Sequence, residues 1–420
     1  MKRILFSFAI LLLANSIFGQ NNSGSPYSKY GLGLLPDNYG IYTAMGGVSA
    51  AMRDNYNINY LNPASYTALD SLRFYFQVGI NAEYVYVSTT KAHTDYTAGQ
   101  NGAINMAFRV APKLFASFGF NERTDIGYDL SFIKPVMGDN TKQSYQRLEG
   151  EGGLNDFYVG LAYQWGKLSL GVNAILLFGK LEERETLVLL PFDSGYYIKT
   201  RTRNQIHDFI FTLGAQYPIN IGRNATLTLG AAGNFGTYVG GFKKFEAYKY
   251  GVTTNTMIQI NDDVMDDGKV FYPSRITFGG TYLFKNKWAV SGDYTFQNMS
   301  QYKEFGQKTE DFEGYHKVAL GGYYQPNENG RYWWERNKYM AGSYFTRSHL
   351  YLKEHMVNTF GITFGMQMPL RIAYQELLLG FSIDGGIRGT ESNTLIKEQY
   401  IKLRINIAFK ELWFAKRKIN

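Results

Sequence analysis

From about residue 72 to the end, the chain alternates apolar and polar residues with a period of two. That period places successive side chains on opposite faces of an extended strand, whereas a helix would repeat every three to four residues. Trp288, Val290, Gly292, Tyr294 and Phe296 alternate with Ala289, Ser291, Asp293, Thr295 and Gln297. Phe360, Ile362, Phe364, Met366 and Met368 alternate with Thr359, Gly361, Thr363, Gly365 and Gln367. Ile401, Leu403, Ile405, Ile407 and Phe409 do the same against Lys402, Arg404, Asn406 and Ala408. A chain patterned this way throughout folds as a sheet with two unlike faces.

The alternating runs number about fourteen, an even count typical of a single-chain membrane barrel. The joins between them support the count independently. Those at 110–113, 165–167, 218–224, 285–287 and 369–374 are short. The intervening ones, at 89–97, 134–155, 182–198, 243–270, 302–312, 346–354 and 389–396, are mostly long and polar. One join, 325–336, is longer than its place in the series predicts. Short turns alternating with long loops are the mark of a transmembrane antiparallel β-barrel, and an even count puts both termini at the short-turn, periplasmic end. A soluble β-sandwich or propeller also alternates, and periodicity alone does not say which face is outside. The sustained length, the aromatics near strand ends and the alternating loop lengths favour the membrane.

Composition points the same way. Tyr (34), Phe (30) and Gly (45) are abundant, yet the mean hydropathy is only −0.27. A barrel with one face to lipid and one to a polar lumen requires that balance. No segment beyond the N-terminus is apolar for the roughly 20 residues a spanning helix needs. Lys2 and Arg3 precede an apolar run over 4–14 and a small residue at Gly19, which reads as a secretory signal over 1–19. Cysteine is absent, so neither disulfides nor a lipid-modified cysteine is expected. The formal charge of +8 falls by two when Lys2 and Arg3 leave, and on an exported chain of this size it implies no nucleic-acid partner.

Between the signal and the first strand lies a segment that does not alternate. Residues 21–40 are polar and punctuated by Gly, Ser and Pro. Residues 44–64 are rich in small side chains and end in Asn62-Pro63-Ala64. A barrel of about fourteen strands encloses more space than its own side chains fill, so this segment is expected to occupy the lumen. Gly46, Gly47, Ala50 and Ala51 allow close backbone approach to a wall, and Arg53, Asp54 and the asparagines can bond to it. Tyr42, Met45, Val48, Met52, Tyr56 and Tyr60 are the candidates for an apolar ligand pocket beside the plug, and each also fits as plain packing.

The order Met45-Gly46-Gly47-Val48-Ser49-Ala50-Ala51, Asp54 and Leu61-Asn62-Pro63-Ala64, followed by a first strand, resembles the FadL-type outer-membrane transporters of hydrophobic compounds. The motif covers about twenty residues, and Ser65 stands where a glycine is familiar. The resemblance implies fourteen strands, an N-terminal hatch marked by Gly46, Gly47, Asp54, Asn62, Pro63 and Ala64, and sideways release through a gap in the wall. It also implies uptake of fatty acid-like molecules. The expected organisation is a signal peptide at 1–19, a hatch at 20–71, a barrel at 72–410 and a periplasmic tail at 411–420. The expected surroundings are outer-membrane lipid and lipopolysaccharide in a Gram-negative-type envelope, with a hydrophobic small molecule as ligand. The alternative is a barrel serving a secretion or surface-assembly complex as scaffold or carrier, without transport of its own.

No enzyme, cofactor or metal is expected. Gly47-Val48-Ser49-Ala50-Ala51 fails the nucleophile-elbow pattern at its last position, and the five histidines are scattered. The acidic run Asp262, Asp263, Asp266, Asp267 lacks the closing Glu of a calcium loop and carries Met265 at a ligand position. A solvated external loop is expected there.

Overall fold

The computed structural model describes residues 24–34, 40–136, 139–190, 195–251, 256–372, 375–392 and 395–413. The expected signal peptide lies outside the described residues, as does most of the expected tail.

Eighteen strand segments form one closed antiparallel sheet. They are β1 (Arg73–Ser88), β2 (His93–Ala111), β3 (Leu114–Val136), β4 (Asp139–Trp165), β5 (Leu168–Leu190), β6 (Tyr196–Ile221), β7 (Ala225–Asn234), β8 (Thr237–Gly251) and β9 (Met257–Tyr272). Then come β10 (Arg275–Phe284), β11 (Trp288–Gln297), β12 (Lys303–Glu304), β13 (Gln307–Lys308), β14 (Tyr315–Tyr324), β15 (Lys338–Leu352), β16 (His355–Ile372), β17 (Gln375–Gly389) and β18 (Lys397–Leu412). β7 and β8 are two halves of one wall strand, because β6 pairs with both at successive heights. β9 and β10 are likewise one strand interrupted at Pro273, which has no N–H for the ladder. β12 and β13 form a small hairpin over the long-loop end. The wall therefore has fourteen strands. Pairing of β1 with β18 from Arg73↔Leu412 to Ser88↔Lys397 closes it and leaves no edge there.

The faces are inside out relative to a soluble protein. Trp288, Val290, Tyr294, Phe364, Ile401 and Leu403 are exposed, whereas Ser291, Asp293, Gln297, Thr363, Gln367, Lys402 and Asn406 are buried. Val290 is 63% exposed and Ser291, the next residue, 1%. Only a hydrocarbon surrounding makes that arrangement favourable, since an outward apolar band in water would forfeit the burial that drives folding.

Several joins read as loops are strand. β3 and β4 continue to Val136 and Asp139, β5 and β6 run to Leu190 and from Tyr196, and β8 and β9 run to Gly251 and from Met257. The acidic run at 262–267 therefore sits in β9, where Asp262 pairs with Lys244 at 3.3 Å, rather than in a loop. These extensions carry charged residues on one face, alternating with apolar residues such as Tyr128, Leu130, Leu148 and Leu181 that join the buried cluster on the other. Ladder hydrogen bonds and cross-strand ion pairs such as Arg147–Asp129 and Arg184–Glu151 help to hold them.

One stretch of wall is not zipped. Among the described residues, β2 and β3 pair only from Ala103↔Asn121 to Ala111↔Leu114. Above that, β2 pairs with β1 and β3 with β4. A register shift between Glu122 and Thr124 turns β3 inward, and residues 124–128 are buried on both faces.

Candidate functional site: the plugged lumen and the open seam

The segment expected to be a hatch, described at residues 24–34 and 40–71, packs on the wall through three short 3₁₀ turns, Pro26–Lys29, Ile41–Met45 and Pro63–Ala68. Gly46 and Gly47 have φ of 70° and 79°, which reverses the chain after the second turn. Asn62 caps the third through its side-chain oxygen, which accepts from Ala64 N at 3.1 Å, with Pro63 in the first helical position.

The wall meets the hatch with glycine. A Cβ on Gly230 would lie 2.0 Å from the Ala50 carbonyl oxygen, and on Gly321 2.2 Å from that of Met45. On Gly342 it would lie 2.3 Å from the Met45 carbonyl carbon, and on Gly214 2.1 Å from Asn62 Oδ1. On β7, β14 and β15 the wall and this segment pack backbone on backbone.

Polar wall residues then hold what the glycines admit. Asp293 Oδ2 accepts the backbone N–H groups of Ser49 and Ala50 at 2.6 and 2.8 Å. Thr363 Oγ1 accepts from Gly46 N at 2.8 Å, and Gln77 Oε1 from Ile58 N at 2.9 Å. Asn57 and Gln367 exchange both amide bonds. Arg53 donates to Ser169, Gln216 and Thr67, and burial lowers its pKa to about 10. Asp54 receives Lys338 Nζ at 2.8 Å and the backbone N–H groups of Tyr56 and Asn57. Burial pushes the Asp54 carboxyl up, but the Lys338 ammonium and these donors outweigh it and hold the group below the usual range.

The six residues expected at a ligand pocket fall in three places. Tyr42, Met45, Val48 and Met52 cluster with Ala319, Met340 and Tyr344, all at most 5% exposed, where the hatch packs on β14 and β15. Tyr60 stacks near Tyr158 with centroids 5.7 Å apart and lines a cavity of about 60 Å³ beside Arg123 and Asp293. Tyr56 faces the short-turn end, where its hydroxyl reaches Glu376 and Lys410 lies 3.4 Å from its ring. It borders a cavity of about 130 Å³. Both volumes fall short of the 300 Å³ or more that a drug-sized ligand occupies.

The unzipped seam has a cover that pattern reading missed. Leu34 pairs with Asp125 of β3, the two exchanging backbone hydrogen bonds of 3.0 and 3.3 Å. Gly127 N donates to Ser28 Oγ at 3.1 Å, and on the other side Ser25 Oγ donates to Glu398 at 2.6 Å while Tyr27 Oη donates to the Ile396 carbonyl. The 25–34 stretch thus lies across the gap from within. Its Tyr27 and Leu32 belong to an apolar cluster with Ile126, Leu154, Leu181 and Ile206 of the upper wall, over which Tyr302 and Phe312 fold as a cap. The signals for this were faint: a polar Gly- and Pro-punctuated stretch holding Tyr27, Tyr30, Leu32 and Leu34.

Among curated proteins, none matches. Among solved structures, the chain resembles a Pseudomonas aeruginosa FadL homologue at 10% identity and TM-score 0.62, covering 90% of this chain and 99% of that one. It resembles the CymD monoaromatic hydrocarbon channel at 14% identity and TM-score 0.57, covering 90% and 98%. It resembles the Ralstonia pickettii toluene transporter TbuX at 15% identity and TM-score 0.55, covering 90% and 99%. At such identities the likeness is one of fold. A family model described as BamG matches residues 1–420. The chain belongs to the BamG family, built on a FadL-type barrel.

Proposed function

We propose that this chain is an outer-membrane barrel, with its short turns and both termini in the periplasm, that passes small hydrophobic molecules sideways through the β2–β3 seam. The observation that carries the reading is the register shift in β3 above Asn121, beyond which β3 and β2 no longer pair with each other among the described residues and Asp125 of β3 pairs with Leu34 instead. Unsatisfied backbone groups facing lipid cost several kcal/mol each, so a barrel that only needs to be closed gains nothing from such a gap. Here the gap is covered by a strap joined to β3 by one isolated bridge rather than by a ladder. The hatch closes the axial route, and the strap occupies the apolar space beside the lateral one. Solved barrels of similar fold include a toluene transporter and a monoaromatic hydrocarbon channel, which is the ligand class this reading extends to the chain.

The test uses the absence of native cysteine. Leu34→Cys with Asp125→Cys places one disulfide across the bridged pair, whose antiparallel geometry suits a crosslink. Oxidation is expected to abolish uptake of a radiolabelled monoaromatic or fatty acid by cells or proteoliposomes, and reductant to restore it. Equal uptake in both states would remove the seam as the route.

A second reading, a scaffold or carrier within a surface-assembly complex, is favoured by one observation: two cavities that border the hatch are only about 60 and 130 Å³, while its turns pack against β3–β6 and β14–β17. Negligible uptake in all states of the cysteine pair, with normal assembly of the barrel, would support it.

A further inference from the structure

All five tryptophans of the chain lie at the short-turn end. Trp165 closes β4, Trp288 opens β11, Trp413 follows β18, and Trp333 and Trp334 stand in the β14–β15 loop. Tryptophan collects where a bilayer changes from acyl chain to headgroup, so this ring marks one lipid interface. The β14–β15 loop differs from the rest of the ring in carrying three exposed aromatic residues in a row. It is the long join of its end, and it is built rigidly. Asn327 N donates to the Glu335 carbonyl at 2.8 Å, Gln325 Nε2 to that of Arg336 at 2.9 Å, and Tyr332 N to Glu335 Oε2 at 3.1 Å. These bonds set one helical turn, α1 (Trp333–Arg336), without a buried residue in it.

The display is aromatic. Tyr332, Trp333 and Trp334 are 51%, 58% and 47% exposed, which a loop in water would pay for in lost burial. Tyr332 stacks on Trp334 at 4.5 Å, and Trp333 meets Trp334 edge-on. The cluster is continuous with the lipid-facing rim: Tyr339 Oη donates to the Trp334 carbonyl, and the neighbouring outward pair Trp288 and Tyr324 stacks at 4.0 Å. Beside it, Gln325 N donates to the Lys287 carbonyl, which brings the β10–β11 turn with exposed Lys285 and Lys287 against a loop carrying exposed Arg331.

We infer that this loop is a lipid-docking anchor: Trp333 and Trp334 enter the headgroup–acyl boundary of the leaflet at the short-turn end, and Lys285, Lys287 and Arg331 meet phospholipid phosphates. Rigid aromatic side chains give contact area at little entropic loss, and cations at headgroup depth gain from anionic lipid. The anchor fixes the depth and tilt of the barrel on the β10–β15 side. It is independent of what passes the seam.

The full chain is reconstituted in phosphatidylcholine–phosphatidylglycerol vesicles containing phospholipid brominated near the top or near the end of its acyl chains. The fluorescence difference between the wild type and Trp333→Phe/Trp334→Phe isolates the loop. That difference signal is expected to be quenched at least twofold more by shallow than by deep bromines, and to be protected from aqueous iodide. Lys285→Gln/Lys287→Gln/Arg331→Gln is expected to halve the gain in shallow quenching that phosphatidylglycerol brings over phosphatidylcholine alone, with heat-modified mobility on gels unchanged. A difference signal open to iodide and indifferent to bromine depth would overturn the inference and leave a water-facing surface suited to a protein partner. An unchanged lipid preference in the triple variant would overturn the phosphate contacts.

Discussion

Asp54 and Lys338 show how single residues hold the hatch. Their side chains are 7% and 15% exposed and meet at 2.8 Å. Removing one member of such a buried pair strands the other, at a cost of about 3–5 kcal/mol. Asp54→Asn is therefore expected to loosen the hatch, read as faster proteolysis of the 40–70 region in detergent while the barrel keeps its mobility on unboiled gels. Since the folded carboxyl lies below its ordinary value, its contribution is fully present above about pH 4 and fades as the pH falls through the folded value. Wild-type hatch protection should thus decline only in acid, and Asp54→Asn should lack that step. Gly342→Val tests packing instead of charge. Its added carbons would meet the Met45 carbonyl carbon and Gly46 N, backbone atoms with no rotamer to yield, so the hatch must shift. Hydrogen exchange at residues 44–50 is expected to accelerate at least tenfold in this variant.

At the scale of strands, the outward face carries the energetics. Arg at Val290, Phe364 or Leu403, all more than half exposed to lipid, is expected to cost about 2–4 kcal/mol in folding titrations from urea. Lys402 already faces inward in β18 and is buried, so Lys402→Arg should cost far less. Equal losses would reverse the assignment of faces. This face assignment was legible in the sequence because Val290 and Ser291, or Leu403 and Lys402, differ so sharply in polarity. Strand ends above the membrane were not legible. Asp129, Glu149 and Arg147 lie on paired strands and join in ion pairs, but a charged, glycine-rich stretch such as 147–153 looks like loop. The seam was hidden for a related reason: which strand pairs with which is a long-range property, and β3 bends at a single extra residue near Arg123 that leaves the apolar period almost intact. Of the hatch, Gly46, Gly47, Asp54 and Asn62 stood out as turn and polar residues. Their wall partners Asp293, Lys338 and Thr363 are isolated polar positions within alternating runs, indistinguishable there from any lumen residue.

Over the whole molecule, the barrel and its contents are separable. Pairing of β1 with β18 closes the wall without help from residues 24–71, whereas the lumen depends on them for its contents. We propose that this segment is what keeps the barrel shut. Its most direct test is single-channel recording in planar bilayers of the intact protein and of a form lacking residues 21–70, both shown to be folded by heat-modified mobility. A large steady ion conductance is expected for the shortened barrel and almost none for the intact one. Negligible conductance from both would contradict it, since some other part of the chain would then have to fill the lumen.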